Sequence, residues 1–84
     1  MVEAEVLEER IRAGLGQVSH IVIKDLTGTK DHWDALIVSE AFYGKSRIEQ
    51  HQMVYAALGE LMSGPVHALA LKTYSPESWA KQEG

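Results

Sequence analysis

The sequence predicts an α/β fold of the α+β kind: the order α-β-β-α-β-α, with a three-stranded mixed sheet packed against helices. Three observations predict it. Two short runs rich in β-branched and apolar residues, 19–25 and 32–39, flank a polar turn. A capped stretch with helical spacing then precedes a third alternating run, 67–74. That helix is long enough to return the chain across the sheet. If the second and third strands pair, they therefore run in parallel, joined by a right-handed crossover. At 84 residues, the chain 1–84 is read as one domain with a modest core.

Each element has its own warrant. Residues 3–13 form the first helix, with Val6, Leu7 and Ile11 as its apolar stripe and Gly14 and Gly16 as its stop. Strand 19–25 turns Ile21 and Ile23 to one face. The segment 27–31 is polar and carries Gly28 for a left-handed turn. In strand 32–39, Trp33, Ala35 and Ile37 share one face while Leu36 and Val38 share the other. Two apolar faces mark this strand as central. Ser46 and Glu49 form a capping box, and Met53, Val54, Ala57, Leu58, Leu61 and Met62 follow at helical spacing until Gly64-Pro65. Ser75-Pro76 reads as an N-cap with proline at the first helical position, opening a short helix that carries Trp79.

Composition excludes several function classes. There is no cysteine, so the chain has no disulfide framework and no thiolate site of its own. The net charge of −4 opposes phosphate. No apolar stretch approaches a membrane span. The first residues are acidic and lack a signal-peptide pattern. The expected location is the cytoplasm. No nucleophile elbow or phosphate-cradling glycine loop is present, and Ser46 and Ser75 are better explained as caps. No catalytic residue is assigned.

His32 and His67 are the candidate metal ligands. They open the second and third strands, and in a parallel pair both starts lie at one end of the sheet. Neighbouring strands are about 4.8 Å apart, close enough for two imidazoles to converge on one ion. Two imidazoles are still an incomplete set, since structural zinc takes four ligands and catalytic zinc three. Asp31 and Asp34 are further oxygen donors in reach by sequence, though alternation turns Asp34 away from Trp33. Other ligands must come from outside. His20 belongs at the opposite end of the sheet, and His51 reads as a structural residue of the long helix.

The residues Phe42-Tyr43-Gly44-Lys45-Ser46, His51, Val54-Tyr55 and the block from Val66-His67 through Ser75-Pro76-Glu77-Ser78-Trp79 together resemble the BolA family. The resemblance runs from the first helix to Trp79. It implies a fold similar to the class II KH domain and a non-enzymatic role. It also implies a monothiol glutaredoxin as heterodimer partner, sharing a bridging two-iron two-sulfur cluster with it and with glutathione. The isolated chain would bind none. The ligand at the start of the last strand would be His67, and the one before the second strand His32. Such mixed sulfur and imidazole ligation is similar to a Rieske centre. Implied roles are iron homeostasis, cluster trafficking, redox regulation and stress response. A homodimer is the other assembly open to the chain. The alternative function is a KH-like nucleic-acid-binding regulator, with Lys45, Arg47 and Lys72 on phosphates. This is disfavoured. Gln50-His51-Gln52 stands where many members carry Arg-His-Arg, and Gly44-Lys45-Ser46-Arg47 lacks the second glycine of a Gly-x-x-Gly loop.

Overall fold

The computed structural model describes residues 3–26, 28, 32–63 and 68–83. The helices are α1 (Ala4–Leu15), α2 (Arg47–Leu58) and α3 (Pro76–Glu83), and the strands are β1 (Val18–Asp25), β2 (His32–Ser39) and β3 (Ala68–Tyr74). Short 3-10 turns cover Glu40–Phe42 and Gly59–Ser63. The sheet order is β1-β2-β3, antiparallel between β1 and β2 and parallel between β2 and β3. The predicted α+β architecture is therefore observed, and β2 is the central strand, as its two apolar faces require.

Alternation along β2 divides the sheet into a covered and a partly open face. Trp33, Ala35 and Ile37 meet Leu7 and Ile11 of α1, Val54 and Leu58 of α2, and Phe42 in one buried cluster. Burying side chains of this size contributes about 1.5–3 kcal/mol each before entropy is counted. Val38 faces the other way and is also buried. It lies in register between His20 and Tyr74. Both of those rings contact Trp79 at centroid distances of 5.4 Å, which seats α3 over this row.

Two helix ends differ from expectation. Gly14 does not stop α1. It lies inside the helix where α2 approaches, and a Cβ there would fall 2.5 Å from the Ala57 Cβ. Gly16 ends the helix instead, with φ of 68° and its N–H donating to the Arg12 carbonyl at 3.0 Å. In α2 the capping box forms as predicted. Ser46 Oγ accepts from the Glu49 N–H at 3.2 Å, and Glu49 Oε1 accepts from the Ser46 N–H at 2.8 Å. The α-helix then ends at Leu58 rather than at 63, because Gly59 turns to φ 57° and ψ −127°. The apolar spacing of 53–62 continues through the 3-10 turn, so periodicity alone hides the break. The predicted stop at Gly64-Pro65 lies outside the described residues. At α3, Ser75 caps as expected, accepting from the Ser78 N–H at 3.3 Å.

Candidate functional site

The parallel register sets His32 opposite Ala68. His67 immediately precedes Ala68 in the chain and, like Asp31, lies outside the described residues. His32 is exposed. Its main-chain carbonyl accepts from the Leu26 N–H at 2.9 Å, fixing where β2 begins. Asp34 follows on the same face as His32, away from Trp33. Among the described residues no three His, Asp or Glu side chains gather into a metal-binding group. This end of the sheet holds, among the described residues, His32 and Asp34 without a closed ligand set. Beside it, the Trp33 indole N–H is buried with no hydrogen-bond partner among the described residues.

The remaining histidines are elsewhere. His20 pairs with Val38, six positions along β2 from His32. At about 3.3 Å per residue, the two ends are roughly 20 Å apart. His20 stacks on Trp79 with 23° between the rings. Trp79 therefore packs beside His20 and Tyr74, toward the end of the sheet opposite His32. His51 is half-buried on α2. Glu49 is the one group among the described residues whose acidity is clearly altered. The Ser46 backbone N–H, then the Ser46 side chain, hold its carboxyl below the usual range, and Lys45 adds to this. That is the signature of a helix cap.

Two clefts escape a reading of the sequence. One, of about 220 Å³, lies on the open sheet face, where Val22 and Leu36 adjoin His20, Lys24, Asp34, Lys72 and Trp79. The other, of about 290 Å³, lies between α2 and the outer edge of β3 and is lined by Arg47, His51 and residues 71–74. Lys72 and Arg47 are visible as cations in an acidic chain, but only the tertiary fold brings them to one cleft. No helix among the described residues is long and apolar enough to cross a membrane.

Comparison with known proteins agrees with this architecture. The family model described as BolA-like protein matches residues 8–78. The chain is 34% identical over 85 residues to the DNA-binding transcriptional regulator BolA of Escherichia coli, covering 94% of this chain and 81% of that protein. It is 40% identical over 75 residues to BolA-like protein 1 of Bos taurus, covering 89% of this chain and 50% of that one. The chain thus spans about half the length of that relative. The crystal structure of a bol-like protein from Babesia bovis superposes with a TM-score of 0.88 at 28% identity, covering 100% of this chain and 96% of that chain. With the matched segment reaching from α1 into α3, and the same fold in that solved structure, this chain belongs to the BolA family.

Proposed function

We propose that this protein is a non-enzymatic adaptor that binds a monothiol glutaredoxin and contributes His67 and His32 to a bridging two-iron two-sulfur cluster. The observation that carries the reading is the parallel register, which sets His32 opposite the residue joined to His67. The absence of cysteine supports it, because sulfur ligands would have to come from the glutaredoxin and from glutathione. Bound there, the cluster would supply one-electron redox capacity, with imidazole in place of thiolate raising its potential. The chain's own residues present and orient nitrogen donors and dock the partner. No catalytic residue enters this role, which belongs to iron and redox regulation or cluster trafficking in the cytoplasm.

The test is visible circular dichroism after mixing the protein with cluster-loaded glutaredoxin and glutathione. The wild type is expected to change the cluster spectrum. His67→Ala should leave the spectrum of the glutaredoxin alone, and His32→Ala should alter the shared spectrum. Far-ultraviolet spectra confirm that both variants fold. Identical visible spectra for wild type and His67→Ala would sink the proposal.

A second reading is favoured by one observation, the similarity to a DNA-binding transcriptional regulator, BolA of Escherichia coli. Here Lys45, Arg47 and Lys72 would meet phosphates near the start of α2. The net charge of −4 weighs against it.

A further inference from the structure

We propose that the outer edge of β3 binds an extended acidic peptide segment as a fourth strand. The inference concerns residues 71–74 and the start of α2 and depends on neither His32 nor His67. Among the described residues β3 pairs on one side only. Its pairing with β2 runs in unbroken register from Ala68 to Tyr74, so the strand is regular enough to template another. The cleft of about 290 Å³ beside it is lined by four consecutive residues of β3, Leu71, Lys72, Thr73 and Tyr74. Successive side chains point to opposite faces of a sheet. A cleft that touches four in a row therefore follows the edge, where main-chain N–H and C=O groups are presented. That is the surface used in strand addition.

Charge selects the occupant. Arg47 and His51 line the α2 side of this cleft, which no carboxylate lines, and Lys72 leaves the same edge toward the opposite sheet face, beside Leu36 and Asp34. Neither Arg47 nor Lys72 forms an ion pair among the described residues. In a chain of net charge −4, this is a local reversal of sign. It favours carboxylates on the incoming strand. The walls are also held in place. Thr73 Oγ1 donates to Gln50 Oε1 at 2.7 Å. Gln50 Nε2 donates to the carbonyls of Phe42 at 3.3 Å and Lys45 at 3.0 Å. Gln50 thus ties the loop before α2 to the far half of β3, so little ordering remains when a peptide enters. A peptide is favoured over nucleic acid because the strand edge offers alternating donors and acceptors, which peptide amides match and a phosphate backbone does not.

The experiment uses the full chain labelled with nitrogen-15 and a blocked six-residue peptide of valines with two neighbouring glutamates, one for each sheet face. Amide shifts confined to 71–74 and the first turn of α2 are expected, with slowed exchange of edge amides. Arg47→Glu combined with Lys72→Glu should weaken binding by about tenfold or more, as should replacing glutamate by lysine in the peptide. Both residues are exposed, and far-ultraviolet spectra check the fold of the double variant. A peptide N-methylated at alternate amides should not bind. Equal binding of the N-methylated or lysine peptide would overturn the proposal. So would an absence of shifts at 71–74 with millimolar peptide. Stronger shifts there from oligothymidylate than from the peptide would assign the cleft to nucleic acid and overturn it too.

Discussion

At the scale of single residues, Gly14 sets the distance between two helices. On propensity alone, Gly14→Ala should stabilise an internal helical position by up to about 1 kcal/mol. The structure reverses the sign. The new methyl would meet the Ala57 Cβ at 2.5 Å and its Cα at 2.9 Å. Backbone cannot yield as a flexible side chain can, so α1 and α2 must separate and loosen the layer formed by Leu7, Ile11, Val54 and Leu58. Overpacking of this kind destabilises by about 1–3 kcal/mol. Urea denaturation should show a lower midpoint for Gly14→Ala and partial recovery on adding Ala57→Gly, because residues in contact are not additive. An increase in stability for the single variant would refute the close approach.

At the scale of elements, the capping box of α2 makes a prediction about pH. The Ser46 backbone N–H, followed by the Ser46 side chain, lowers the Glu49 pKa in the folded protein. A carboxyl with a depressed folded pKa contributes stability above its unfolded pKa, and that contribution disappears as pH falls through the folded value. Wild-type stability should therefore decline in acid more steeply than that of Glu49→Gln, whose amide oxygen still accepts a hydrogen bond but does not titrate. Ser46→Ala should cost about 1 kcal/mol at neutral pH. Parallel stability curves for wild type and Glu49→Gln would refute the linkage. This cap was legible in the sequence because its partners are three residues apart. The central position of β2 was legible from alternation, and the parallel pairing of β2 and β3 from the helix between them. The internal Gly14 and the early end of α2 were not. The first depends on a neighbour at position 57, and the second on a backbone angle at Gly59 inside an uninterrupted apolar spacing. His32 was legible as a strand opener. Arg47 and Lys72, separated by 25 positions in the chain, join at one cleft only through the tertiary fold.

At the scale of the whole molecule, the balance of charge decides how the protein meets nucleic acid. The chain carries 8 Lys and Arg against 12 Asp and Glu. Of the eight, Lys45, Arg47 and Lys72 belong to the start of α2 or to β3, and Arg12 is engaged by Glu8 at 2.9 Å. With net charge −4, long-range attraction to a polyanion is opposed, and the three cations of the nucleic-acid reading, Lys45, Arg47 and Lys72, would neutralise about three phosphates. Binding through three phosphates would give a slope near −2.7 in a plot of log affinity against log salt. Fluorescence anisotropy with a 20-base-pair duplex should accordingly show dissociation constants weaker than about 100 µM at physiological salt. Any binding at low salt should fade with that shallow slope and fall further in Arg47→Glu. The same titration separates the two functional readings. Saturable sub-micromolar binding at physiological salt, with a dependence on base sequence, would require a basic surface that this distribution of charge does not provide and would move the protein to the DNA-binding class.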